Sequence, residues 1–498
     1  MKTTESNKPV RMGVFTLAMI NVAAIVSLRG LPAESVYGLS SAFYYLFAAV
    51  FFLVPVSLVA AELTTGWPQK GGVFRWVGEA FGPRWGFLAI WLQWIESTIW
   101  FPTVLTFAAV SIAFMGVNQS WDAALAANDV YVLLVVLVVY WLATLLNMRG
   151  MGVSGGVTKW GGLIGTVIPA AVLVFLGMLY WGLGNPIDIS MQPQDLIPDL
   201  SNFNNMVLAA SIFLFYAGME MSAVHVNETE NPRRDFPLAI GLASVVTVLI
   251  FVFGTLAIGF IIPQSQINLV QSLLVAFDKL FAYFGVGFLG PVLALCLAFG
   301  VLAQVVAWVG GPSKGLLQVG QAGYLPRWMQ KTNKAGVQVA ILLVQGGVVT
   351  LLSVLFVLLP SVQTAYQIIS QLTIILYLFM YILMFAAAIY LRYKEPHTVR
   401  PFRVPGGKMF GMWIVGGLGL IGSVLACVLS FIPPAQIPVG SPLVYVGVLI
   451  VGALLFSVIP LVIYAMRSPH WINEKSEFEP FCNAGQSCPR PEEGCDRY

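Results

Sequence analysis

The sequence predicts an all-α polytopic membrane protein with twelve transmembrane helices, two of them broken. Three observations carry that expectation. Only 9% of the 498 residues are charged and 58% are hydrophobic, against roughly 25% charged in a soluble globular chain. The apolar residues fall in blocks of about 20, the length that crosses hydrocarbon. The basic residues sort almost completely onto alternate connecting segments. Composition of this kind excludes a secreted enzyme, a disordered protein and a nucleic-acid binder. A net charge of only +3 gives no basic surface for a polyanion.

No cleavable signal peptide is visible. The first twelve residues are polar, carry Lys2, Lys8 and Arg11, and lead to no small-residue cleavage site. Largely apolar windows then place spans near 13–36, 39–61, 86–116, 130–147, 160–183 and 203–225. The second half gives 238–262, 286–309, 337–359, 364–391, 411–432 and 442–466. An even number puts both termini on one side. With the N-terminus inside, every basic residue except Arg29 and Lys279 falls in an inner segment, the pattern that orients membrane proteins. The outer loops instead carry Asp122, Asp129, Asp188, Asp195 and Asp199. Both termini are therefore expected in the cytoplasm, in a bacterial inner membrane.

Trp121, Tyr131, Trp181 and Trp471 sit at span ends, where amphipathic rings anchor at the interface. Residues 264–284 outside and 312–331 inside mix apolar and polar side chains and read as helices lying on the membrane surface. Cys296 and Cys427 fall in spans and read as small buried hydrophobes. Cys482, Cys488 and Cys495 in the C-terminal tail match no disulfide framework or zinc pattern. No metal-ligand cluster, cofactor motif or nucleophile motif is present, so no cofactor and no enzyme activity are expected.

Spans one and six are interrupted. In span one, Ser27-Leu28-Arg29-Gly30-Leu31-Pro32 puts a cation, a glycine and a proline within four residues, a poor continuous helix. The apolar run before Arg29 is too short to cross alone, so the residues after the break complete the crossing. In span six, Tyr216-Ala217-Gly218-Met219-Glu220 again sets small residues beside a charge. Each break falls in the first helix of a five-span half, the pattern that points to an inverted-repeat transporter. Unwound backbone at that depth must line a cavity or be covered by protein. The N–H groups that start each half-helix suit a carboxylate. The competing reading of Gly30 and Gly218 is close helix packing.

The segment Glu62-Leu63-Thr64-Thr65-Gly66-Trp67-Pro68-Gln69-Lys70-Gly71-Gly72-Val73-Phe74-Arg75-Trp76 resembles the signature after span two of the amino acid–polyamine–organocation superfamily. Gly218-Met219-Glu220, His225-Val226-Asn227-Glu228 and Asn231-Pro232-Arg233-Arg234-Asp235-Phe236-Pro237 resemble its glutamate:γ-aminobutyrate antiporter branch more closely. Gly311-Pro312-Ser313-Lys314-Gly315 and Pro405-Gly406-Gly407-Lys408 fit the same branch. The likeness runs from about residue 10 to 466. It implies a 5+5 inverted repeat plus two extra helices: a tail at 1–12, one repeat over 13–183, the second over 203–391, the extra helices over 411–466, and a tail at 467–498. It also implies a substrate held between spans one, three, six, eight and ten, and exchange of an external amino acid for an internal amine by alternating access. Lys159 resembles a lysine that some relatives use in place of an ion, and an ordinary boundary cation is its other reading.

The chain departs from that branch in carrying Gln304 where an acidic residue is expected, Arg29 in the unwound part of span one, and a short acidic tail. A different amino acid:amine pair, and coupling to a proton or sodium gradient, stay open. The expected partners are amino acid and amine substrates and the bilayer, with no nucleic acid. The chain reads equally as a monomer or a homodimer.

The candidate substrate-binding residues follow from breaks, charges and rings. Ser27, Arg29, Gly30, Ala217, Gly218 and Glu220 surround the two breaks. Arg29 is an intramembrane cation that can hold a carboxylate in bidentate fashion, or lock spans together by pairing with Glu96 or Glu220. Glu220 reads as a carboxylate capping the second half-helix of span six or as a substrate contact. Glu96 in span three can carry a proton or meet a substrate amine. Tyr216, Trp308, Tyr377 and Tyr381 can close over a substrate and stack on a cation, although most rings in such a chain only pack. Gln304 lies four residues before Trp308, on the same helix face, and can hydrogen-bond a substrate. His225 is expected to be structural, at the inner end of span six.

Overall fold

The computed structural model describes residues 13–473 and 478–481, apart from 117, 199–209, 222–230, 358–361, 408 and 434–440. The N-terminal tail, the His225–Glu228 stretch of the motif and the three tail cysteines lie outside the described residues. Among the described residues the regular secondary structure is all helix, with no strand. Nine helices among the described residues are long and apolar enough to cross a membrane: Ser40–Gly66, Pro83–Ala113, Asp129–Met148, Val153–Gly182, Arg234–Gly259, Gly287–Gln321, Gln367–Lys394, Phe410–Ser430 and Pro442–Ala465. They coincide with spans two, three, four, five, seven, eight, ten, eleven and twelve. In the other three expected spans the described residues form shorter helical segments: those of the two broken spans, and Val339–Val357 in the ninth.

Helix ends follow local chemistry. Asn118 and Asn128 each accept a hydrogen bond from the backbone N–H three residues on, capping the short helix Gln119–Ala126 and span four. Spans two and five each carry one π-helical turn, Ala49–Leu53 and Leu163–Val167. No hydropathy pattern marks such turns. That in span two turns Phe52 edge-on to Tyr381, with ring centroids 4.8 Å apart.

Span three is buried along almost its whole length and forms the core, with spans eight and ten packed against it. Span twelve lies at the opposite extreme and presents most of its length at the surface. Two surface-helix expectations need correction. Residues 312–321 do not form a separate helix, because Gly290–Gln321 continues through Pro312 as one rod. A proline costs a helix one hydrogen bond, and here the packed neighbours outweigh it. The Ser272–Tyr283 helix does form, but it buries Leu273, Leu274, Phe277, Leu280 and Phe281 against the protein.

The face that bears the basic residues is tied together by ionic contacts. Glu62, at the end of span two, accepts from Arg392 of span ten through both oxygens and from the backbone N–H of Val404 at 2.7 Å. Arg400 stands 3.4 Å from the same carboxylate and lies over the Trp67 ring. Phe478 and Phe481 pack on Phe74 of the Val73–Phe81 helix, while Arg75 Nη1 donates to the Glu479 carbonyl at 2.5 Å.

Candidate functional site

Both breaks are present, and each has a local cause. In span one the helix Val14–Ile25 stops at Val26 and Ser27, which are extended. The chain resumes as a tight turn over Leu28–Gly30 and a short helix, Leu31–Ser35, with Pro32 in its first turn, where a missing N–H costs nothing. The break thus begins at Val26, three residues earlier than the Arg29-Gly30 pair suggests, and Arg29 sits in the first turn after it. In span six Ser211–Phe215 gives way to a turn at Tyr216–Gly218 and a tight turn at Met219–Met221. Gly218 has φ +112°, a conformation that side chains other than glycine rarely adopt.

Between the breaks lies a small cavity of about 30 Å³. Span one contributes Ile25, Ser27 and Arg29, and span three Glu96 and Trp100. Span six adds Leu214, Phe215 and Ala217; Gln304 and Trp308 come from span eight, and Tyr377 from span ten. The Arg29 guanidinium lies 5.4 Å from the Trp100 ring, within cation–π range. Trp100, Trp308, Tyr377 and Tyr381 form a continuous aromatic wall, with successive centroids 5.8, 6.2 and 4.7 Å apart. A smaller apolar recess, lined by Phe52, Phe213, Leu214, Ala217 and Tyr381 among others, adjoins this wall.

Glu220 stands behind the wall. Its carboxylate accepts from Tyr377 and Tyr381 hydroxyls at 2.5 Å each and from Gln93 Nε2 at 2.9 Å. Span six is thereby fixed to spans three and ten. Tyr381 also accepts from the Gly218 N–H at 2.8 Å. One of the backbone donors exposed by the break is therefore already engaged. Glu96 is different. It is 2% exposed, faces the cavity, and its Oε1 has no hydrogen-bond partner among the described residues.

Of the candidate residues, Ser27, Arg29, Glu96, Ala217, Gln304, Trp308 and Tyr377 meet at the main cavity, and Tyr381 lines the recess. The remaining four lie elsewhere. Gly30 is covered by Phe215, whose ring occupies the space a Cβ would fill. Gly218 and Glu220 belong to the layer behind the wall. Tyr216 is turned away from the cavity and donates to the Tyr45 carbonyl at 3.3 Å. Ile25, Trp100, Leu214 and Phe215 line the cavity without having been singled out. Trp100 alone had a usable signal, since it follows Glu96 by four residues on one helix face. Lys159 is exposed beside Trp160 and does not reach the cavity.

Comparison with known proteins bears on this arrangement. The family model described as amino acid permease matches residues 12–455. The chain belongs to the amino acid permease family. The permease is thus a multi-pass membrane transporter of the amino acid–polyamine–organocation superfamily, and its class implies amino acid or amine substrates. It is 39% identical over 472 residues to an uncharacterised transporter of Legionella pneumophila, covering 95% of this chain and 98% of that protein. It is 31% identical over 462 residues to the glutamate/γ-aminobutyrate antiporter of Lactococcus lactis, covering 92% of this chain and 91% of that one. A probable agmatine/putrescine antiporter of Lactococcus lactis is 25% identical to the permease over 78% of the chain and 81% of its own length.

Proposed function

We propose that the permease is an antiporter that takes up an external amino acid in exchange for an internal amine or amino acid by alternating access. Glutamate and γ-aminobutyrate are the pair that the cavity suits best. The protein sits in a bacterial inner membrane with both termini in the cytoplasm, the orientation favoured by its basic segments.

The carrying observation is Arg29, a guanidinium at the break of span one that lines the cavity. An exchanger must bind both members of its pair, so its walls recognise what the two share. Decarboxylation of glutamate removes the α-carboxylate and leaves the distal carboxylate and a primary ammonium. A guanidinium matches the group that survives, with two parallel hydrogen bonds. A pair with cationic side chains, such as arginine and agmatine, would meet a like charge there. The likeness to the Lactococcus lactis glutamate/γ-aminobutyrate antiporter supports the same pair.

Counterflow in proteoliposomes tests the reading. Uptake of labelled glutamate should require γ-aminobutyrate or glutamate inside. Uptake into empty vesicles that collapses with a proton or sodium gradient would replace exchange with symport.

A further inference from the structure

We propose that Glu96 receives the ammonium group of the substrate and, with Arg29 at the same cavity, selects ligands that carry both charges. The inference rests on the exchange reading above and adds to it the group that binds nitrogen.

Two buried carboxylates approach the cavity, and their surroundings divide them. Glu220 is saturated: Tyr377, Tyr381 and Gln93 already donate to its oxygens. Glu96 lines the cavity with an oxygen that no group among the described residues satisfies. Its neighbours on span three do not serve it, because the Ser97 and Thr98 hydroxyls donate to the Trp94 carbonyl at 2.9 and 2.7 Å. A buried carboxylate oxygen without a donor is unfavourable. An incoming ammonium supplies three N–H donors and the opposite charge. The Trp308 and Tyr377 rings beside it present π faces that a cation also favours.

Arg29 comes from span one and Glu96 from span three, so the two charges belong to different walls of one cavity. A dicarboxylate without nitrogen would set an anion against Glu96. A diamine without a carboxylate would set a cation against Arg29. A ligand with a carboxylate at one end and an ammonium at the other satisfies both walls, and both glutamate and γ-aminobutyrate have that form.

The probes are γ-aminobutyrate and glutarate, which share one carboxylate and three methylenes and differ only in carrying an ammonium or a second carboxylate at the other end. Each competes with labelled glutamate in counterflow by the reconstituted full chain. Wild-type protein should be inhibited by γ-aminobutyrate at concentrations at least about 100-fold below those needed for glutarate. Glu96→Gln should weaken γ-aminobutyrate at least about tenfold and bring glutarate within about tenfold of it. Glu96→Asp should fall between. An unchanged ratio of the two probes in Glu96→Gln, or an equal loss of both, would overturn the assignment. Should that variant not transport, the same ratio is read from thermal stabilisation of the purified protein by each probe. A wild type that is stabilised by γ-aminobutyrate but shows no counterflow overturns exchange alone, and the stabilisation ratio then still decides the role of Glu96.

Discussion

Glu62 and Arg392, 330 residues apart in the chain, meet as a bidentate pair, with Nε at 2.6 Å and Nη2 at 2.5 Å from the two carboxylate oxygens. Both side chains are buried. The pair joins the end of span two to the end of span ten. Span ten runs on from there to Tyr381 and Tyr377, so the helix that holds Glu220 is anchored at its far end. Breaking one partner of a buried pair leaves the other charge stranded. Glu62→Gln is therefore expected to destabilise the protein by about 3 kcal/mol, seen as a lower melting temperature in detergent. Adding Arg392→Met should recover part of the loss. Additive losses in the double variant would show that the two side chains are not coupled.

The Arg29 assignment separates charge from shape. Arg29→Lys keeps the cation but loses the planar fork, so half-saturation for glutamate should rise about tenfold, which is about 1.4 kcal/mol. Arg29→Met should abolish measurable exchange. A lysine variant that transports with unchanged half-saturation argues against a bidentate contact.

Gly30 has no room for a side chain beneath Phe215. Gly30→Ala should push the Phe215 ring into the cavity it lines and slow exchange by at least tenfold while the protein still folds. Phe215→Ala on the same background should restore part of the rate. If Gly30→Ala transports normally, the ring has freedom that the packing does not indicate.

On the face bearing the acidic loops, Asp278 of the Ser272–Tyr283 helix is partly buried and feels the charge of Asp122. Burial first, and then that like charge, push its carboxyl up to about 6 from an ordinary value of 3.8. The folded protein thus holds this proton to higher pH than the unfolded chain. Its ionisation weighs against folding between those two values, fully above about 6 and not at all below about 3.8. Asp278→Asn should stabilise by about 1 kcal/mol near pH 7, once solvent screening is allowed for. The gain should vanish near pH 4. A gain that persists there would point to packing instead of charge.

Much of the architecture was legible because membrane crossing imposes a length and a polarity on the chain. The break in span one was visible for the same reason: Arg29, Gly30 and Pro32 have no place in a continuous apolar helix. Arg29, Glu96 and Gln304 stood out against an apolar background, and all three line the cavity. Ile25, Leu214 and Phe215 did not stand out, since an apolar residue within an apolar span carries no mark of which way it faces. Tyr216 misled for the converse reason. It adjoins the break, but the turn at Ala217 and Gly218 rotates its ring toward Tyr45 and Phe251. Glu62 and Arg392 each read as a charge at a span end, and nothing local tells which distant charge it meets.

The aromatic wall gives the protein an optical signal of its own. Trp100 and Trp308 stand 5.8 Å apart beside the cavity, and Tyr377 meets Trp308 edge-on. A charged ligand arriving between them alters the polarity around two indoles and the transfer of excitation between them. In a variant that retains these two of the 14 tryptophans, emission would follow occupancy of the cavity in real time, with no label on the substrate.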